Sequence, residues 1–319
     1  MAHLALRPGD DLVIIDEIQK LPALLDEVQV MIEETGTRFL LTGSNARKLR
    51  RQQGSLMAGR ARTMRLHPFV RAEVEGFKLP RALAFGMLPP IYTSDEPEAD
   101  LVSYVGEYLQ EEIRAEALAR NIESFSRFLR QAALANAQVL NFESVARDAQ
   151  VPARTIREYY AVLEDTLIGT LLEPLQTRGR RKPSAKAKFY FFDIGIVHAL
   201  IGQHQIAEDT DLWGRAFETF IFMELHACAS YGGGKSEISW WRTVGHDEVD
   251  FVWDGNVAIE VKASRHVYAG DFKSLAALDQ EQPMRRLICV CREKERRRLG
   301  KVEIVPYGEF LDELWSSGF

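Results

Sequence analysis

Asp250, Glu260 and Lys262 are the side chains whose types and spacing best suit chemistry. They share one stretch, Gly245 to Ser264, that reads as a hairpin. Asp254-Gly255 is a turn signal, and a two-residue loop would pair Trp253 with Asn256. That pairing puts Val249, Phe251 and Trp253 on the same side as Glu260 and Lys262 and mixes apolar with charged groups on both faces. A three-residue loop, Asp254-Gly255-Asn256, pairs Trp253 with Val257 instead. Val249, Phe251, Trp253, Val257, Ile259 and Val261 then share one apolar face. Glu248, Asp250, Glu260 and Lys262 share the other, with Asp250 opposite Glu260. Facing carboxylates repel, so the arrangement asks for a divalent cation between them, and oxygen ligands suit Mg2+ or Mn2+. Such an ion, with Lys262 beside it, suits phosphodiester hydrolysis. The alternative is an edge hairpin with a solvated charged face.

The elements around the hairpin must position these groups. A long helix from Trp213 to Ala227 leads into it, with Glu218 on its more polar side. Ile238 to Arg242 reads as a strand pairing with the hairpin, Asp271 to Leu278 as a helix crossing the sheet, and Leu287 to Cys291 as a fourth strand. Asp250 followed after a short spacer by Glu260-x-Lys262 resembles the motif of the PD-(D/E)xK nucleases. The order helix, three-strand meander, helix, strand is that of the restriction-endonuclease-like α/β/α core. The resemblance implies a nuclease-like domain over residues 178–319, with Asp250, Glu260, Lys262 and Glu218 catalytic. It implies a metal on Asp250, Glu260 and Glu218, with Glu224 as the alternative third acid.

Near the amino terminus, Asp11 to Gln19 is an apolar strand ending in the acids Asp16 and Glu17. After Pro22, Leu24, Leu25, Val28, Met31 and Ile32 recur at helical spacing, and Arg38 to Asn45 is a second apolar strand that breaks into polar residues. This strand, helix, strand order is a parallel α/β unit with both polar ends at one edge, where open sheets bind ligands. Val-Ile-Ile-Asp-Glu resembles a Walker B strand, and Leu-Leu-Thr-Gly-Ser-Asn the sensor strand of an AAA-type ATPase. Gly59-Arg60-Ala61, Leu66-His-Pro and Glu73 extend the likeness.

With the carboxy-terminal pattern, these motifs resemble a prokaryotic family of AAA-type ATPases followed by a nuclease-like domain of unknown function. Carried over, Asp16 would hold the magnesium of ATP through water, Glu17 would polarise the attacking water, Ser44 or Asn45 would sense the γ-phosphate, and Arg60 would contact nucleotide. Homo-oligomerisation through the ATPase part follows from the same likeness. No Gly-x-x-x-x-Gly-Lys-[Ser/Thr] occurs in the chain, and few residues precede the Walker B strand. The expectation is therefore a truncated P-loop AAA-type sheet over residues 1–79 that does not hydrolyse ATP alone, ATP being a cofactor only of a full-length form. Its sheet would either close around the missing strand, drawing on a strand at Ala61 to Leu66, or keep sticky apolar edges.

Between these parts, residues 80–177 read as a helical and winged helix-turn-helix region. Leu101 to Ala119 and Phe125 to Asn136 are helices. Phe142 to Ala149, a turn at Gln150-Val-Pro, and Ala153 to Leu163 share a core through Val145, Ala149, Val151, Ile156, Tyr160 and Leu163. Leu167-Ile168 and Leu171-Leu172 are the wing-like strands. Arg154, Thr155, Arg157 and Glu158 face a DNA groove, or the module is plain scaffolding. The cations from Arg178 to Lys188 form a flexible basic connection, either a phosphate-tracking segment or an internal counter-charge. Arg47 to Arg65 carries cations with no acid among them, again for phosphates or for a solvated surface.

The whole chain bounds these readings. Its 319 residues hold two or three domains, and a net charge of -6 argues against non-specific nucleic-acid affinity outside local clusters. No apolar run approaches bilayer length, so no membrane partner is expected. Three cysteines without ligand spacing fit a reduced, cytoplasmic setting. The leading expectation is metal-dependent DNA processing, ATP-coupled in a full-length form. The alternatives are a non-catalytic, nucleotide-switched binding or signalling module and an inactive truncated gene product.

Overall fold

The structure, a computed structural model, describes residues 12–43, 61–108, 122–176, 186–203, 205–243, 245 and 247–317. It mixes helix and sheet, and its contacts divide the chain into two units: residues 1–63 with 161–168, and residues 64–160 with 169–319.

In the first unit, β1 (Leu12–Ile15) and β2 (Arg38–Leu41) pair in parallel, from Leu12 with Arg38 to Ile15 with Leu41. Between them α1 (Leu24–Thr35) ends at Gly36, whose φ of 66° makes the left-handed cap that glycine permits. The buried strands and broad helical core expected from the sequence are only partly formed. Leu25 and Val28 of α1 are buried, whereas Ile14 is 63% exposed. Two strands alternate their side chains between two faces, and one helix covers only one of them. Ala61 to Leu66 forms no strand, and among the described residues the parallel sheet has two members.

The second unit begins with the short helices α2 (Leu79–Phe85), α3 (Pro89–Tyr92) and α4 (Pro97–Ser103), then α5 (Ile122–Leu134). Next come α6 (Phe142–Ala149) and α7 (Ala153–Asp165), of which residues 161–165 are counted with the first unit. Asn141 caps α6 by accepting a hydrogen bond from the Ser144 amide, and Gln150 takes a left-handed conformation in the turn. The expected core residues from Val145 to Leu163 are all buried.

The strands expected to form a wing differ from the sequence reading. Leu167, at φ 61°, belongs to the turn. The first strand is β3 (Gly169–Leu172), and its antiparallel partner is β4 (Lys188–Phe191), rich in aromatic residues. A boundary at residue 178 therefore falls between paired strands, and the contacts do not separate the two sides. Asp193 caps α8 (Ile194–Ile201) and also accepts from the Met87 amide, tying the α2 to α3 loop to the start of α8. Gly86, at φ 78°, is required there, since a Cβ would lie 1.8 Å from Asp193 Oδ1.

The long helix α9 (Asp211–Tyr231) leads into a six-stranded sheet. Its strands are β5 (Ile238–Arg242), β6 (Glu248–Trp253), β7 (Val257–Val261), β8 (Arg286–Cys291), β9 (Arg297–Leu299) and β10 (Val302–Pro306). The spatial order is β5-β6-β7-β8-β10-β9. β5, β6 and β7 form an antiparallel meander, and α10 (Lys273–Glu281) crosses over to bring β8 parallel to β7. β10 runs parallel to β8, and α11 (Tyr307–Ser317) follows it.

Candidate active site

The hairpin has the register its residues demand. Trp253 pairs with Val257, Val252 with Ala258, and Phe251 with Ile259. The tight turn that Asp-Gly favours still forms: Asp254 and Gly255 both have positive φ, and the Asn256 amide donates to Trp253 O at 3.1 Å. Asn256 is the extra residue, and its carbonyl turns away to accept the Arg285 amide at 2.7 Å. Asp250 and Glu260 are the residues that follow the last of these pairs, and Asp250 Oδ2 accepts the Val261 amide at 2.8 Å.

The single apolar face expected for this hairpin is broken by a bulge. On the β5 side, Ser239 pairs with Val252 but Trp241 pairs with Val249, so Trp240 alone spans Asp250 and Phe251. A bulge inserts a residue and re-aims the side chains around it. Val249 therefore joins Val252, Ala258 and Cys289 in the core with Leu275 and Leu278 of α10. Phe251 instead packs on Tyr190 of β4 and Phe222 of α9, each ring 5.9 Å away. The hairpin lies inside a sheet covered on both sides, so its charged groups are not a solvated edge. Glu260 is 5% exposed, and the Asp250 side chain 13%.

The cation that balances this cluster belongs to the protein. Lys188 Nζ, from β4, lies 2.7 Å from Glu248, 3.4 Å from Glu218 and 4.0 Å from Asp250. Its side chain is 2% exposed and rests over the Trp240 ring. In the sequence Lys188 ends the flexible basic connection, yet its backbone belongs to β4, followed by Phe189, Tyr190 and Phe191. Burial by itself would lower its pKa, but Glu218, Asp250 and Glu248 overcome this and hold the ammonium charged. Lys262 Nζ sits 2.7 Å from Glu260 Oε1 on a more open side, and Glu260 and Asp250 raise its pKa against the opposing effect of burial.

Three carboxylates, those of Glu218, Asp250 and Glu260, thus face two ammonium groups, while Glu248 is shared by Lys188 at 2.7 Å and Arg242 at 3.6 Å. Burial pushes Asp250 well above the usual carboxylate range, and the Glu260 and Glu218 charges add to it. Burial likewise pushes Glu260 up to about 7, against the opposing charge of Lys262. A carboxyl that resists ionising in this way is one that a cation would stabilise.

Glu218, the expected third ligand, is engaged through one of its oxygens. Its Oε1 accepts from the Tyr190 hydroxyl at 2.6 Å and faces Lys188. Among the described residues, no three Asp, Glu, His or Cys side chains are grouped to hold a metal ion. Glu224, the alternative, is buried elsewhere, accepting from the Arg71 amide at 2.6 Å and Trp315 Nε1 at 2.7 Å. The two carboxylates at the hairpin remain a fit for a hard cation that keeps several waters, as magnesium does. Glu260 Oε2 supports that fit, being buried with no hydrogen-bond partner.

In the first unit, Asp16 and Glu17 lie where expected, just beyond the ends of the paired strands. The Thr42 hydroxyl donates to Asp16 Oδ1 and accepts the Glu17 amide at 3.4 Å. Glu17 takes a left-handed conformation and accepts from Gln19 Nε2 at 2.6 Å. Ser44, Asn45 and Arg60 lie outside the described residues, as does most of the basic connection from Arg178. On α7, Arg154 pairs with Glu158 and Arg157 with Glu143, so the helix offered to a groove spends its cations on nearby acids.

Comparison with protein families divides the chain in three. Residues 1–75 match the family described as AAA domain, 76–206 a domain of unknown function (DUF8612), and 213–310 another domain of unknown function (DUF4143). The first and last of these support an AAA-type ATPase family. No curated protein and no solved structure is matched. No helix among the described residues is long and apolar enough to cross a membrane.

Proposed function

We propose that the second unit carries a PD-(D/E)xK-type centre for metal-dependent phosphodiester hydrolysis on DNA, in an ATPase-family protein. The observation that carries the reading is the buried, unpartnered Glu260 Oε2 beside the Asp250 carboxyl, both groups held reluctant to ionise. Asp250 and Glu260 would hold one Mg2+ or Mn2+, which when bound polarises a phosphoryl oxygen and acidifies water. The Val261 amide fixes the orientation of Asp250. Lys262, salt-bridged to Glu260 and about one-third exposed, presents an ammonium towards incoming phosphate and steadies the negative charge that develops there. Glu218 positions Tyr190 and Lys188 and touches neither the ion nor the substrate.

The test is incubation of the full chain with linear, branched and single-stranded DNA in Mg2+ or Mn2+. Nicking that disappears in Asp250→Asn is the expected result; DNA left uncut under every condition overturns the reading. A second reading has its own support, since Lys188 neutralises much of the cluster without any metal. In that reading the unit is a non-catalytic binding or signalling module switched by nucleotide. Calorimetry that finds no divalent uptake would favour it.

A further inference from the structure

The wing strand enters the carboxylate cluster through a single residue. The Lys188 backbone pairs with Leu172 of β3 and bridges to Val139 ahead of α6. Its side chain leaves that small sheet and ends among acids supplied by α9 and β6. Long cationic side chains normally carry their heads to water, and this one is instead closed in beneath Trp240. Removing one partner of such a buried set leaves the others uncompensated, which makes the seat specific for a positive charge.

We propose that Lys188 is a built-in cation of the centre, a positioning residue that fills the seat among Glu218, Glu248 and Asp250 and confines a divalent ion to the Glu260 side of Asp250, one ion per chain. The proposal rests on the metal-site reading and sharpens it. Three features place the division. The Tyr190 hydroxyl turns Glu218 Oε1 towards the lysine. The Asp250 oxygens are split, Oδ1 facing Lys188 and Oδ2 held by the Val261 amide. The one buried carboxylate oxygen of the cluster without a hydrogen-bond partner belongs to Glu260. Two-metal hydrolytic sites need bridging acids with ions roughly 3.5–4 Å apart; here the acids that would bridge are engaged by an ammonium.

The experiment titrates the full chain with Mn2+, following heat and the electron paramagnetic signal of bound ion, in wild type, Lys188→Met, Lys188→Arg and the double variant Lys188→Met/Glu218→Gln. Wild type and Lys188→Arg should take up one ion per chain, and Lys188→Met one more than wild type. The double variant, which removes a negative charge with the lysine, should return to the wild-type count and regain melting temperature lost in Lys188→Met. If Lys188→Met is too unstable to titrate, the melting temperatures decide, and a double variant no more stable than the single one overturns the proposal. Two ions in wild type, or an unchanged count in Lys188→Met, also overturns it. An ion bound by Lys188→Met but not by wild type supports the built-in cation while removing the hydrolytic reading, and no ion in either protein removes both.

Discussion

Each unit carries a pair of acids at a strand, and the two pairs live in different physics. Asp16 and Glu17 follow β1 at the end of a sheet with two strands among the described residues, where the Thr42 hydroxyl donates to Asp16 and the Gln19 side-chain amide to Glu17. Asp250 and Glu260 lie mid-sheet under helices on both sides, and burial sets their ionisation. Where water is excluded, facing acids need a counter-charge close at hand. In the second unit the fold supplies part of that counter-charge itself, through Lys188.

The comparison breaks most readily at Lys188. Lys188→Met should lower stability by about 3–5 kcal/mol, the usual cost of leaving a buried ionic partner unpaired, read as a fall in the denaturation midpoint. An unchanged midpoint would mean the cluster is far wetter than its burial implies. Next in size, Asp250→Asn should reduce metal-dependent nicking by at least roughly a hundredfold. It should leave the fold intact, because an amide oxygen can still accept the Val261 amide; loss of the fold instead would make Asp250 structural.

Glu224 sharpens the contrast, being a buried acid on the same helix as Glu218 with no lysine against it. Burial raises it to about 7, opposed by the Arg71 amide and Trp315 hydrogen bonds. Its folded pKa therefore exceeds its unfolded one: the folded chain keeps a proton that the unfolded chain has released, and stability falls as pH rises from the ordinary glutamate range to about 7. Glu224→Gln should remove this group's share of that slope in denaturation measured at pH 5 and pH 7.5. The smallest effect belongs to Asp16→Asn, expected within about 0.5 kcal/mol because the side chain is exposed. A larger loss would show that the strand end is more enclosed than the described residues make it.

The hairpin shows how far local rules reach. Asp254-Gly255 demanded left-handed residues, and alternation rejected the two-residue register, so the pairing of Trp253 with Val257 followed from the sequence. The meander, the crossover helix and the parallel strand after it were legible for the same reason, as was the helix-turn-helix core. The bulge at Asp250 and Phe251 was not, because it depends on the neighbouring strand β5, and alternation along β6 alone assigned Val249 to the wrong core.

Lys188 marks the same limit. Its own segment showed a cation at the end of a basic connection, next to an aromatic strand, and nothing local gave its destination. Strand periods, turn chemistry and acid spacing were legible along the chain, all set within a few residues by backbone geometry and side-chain alternation. That β4 brings its lysine among acids from α9 and β6 came from long-range packing, because seating Tyr190 of that strand against Phe222 and Phe251 carries Lys188 into the cluster.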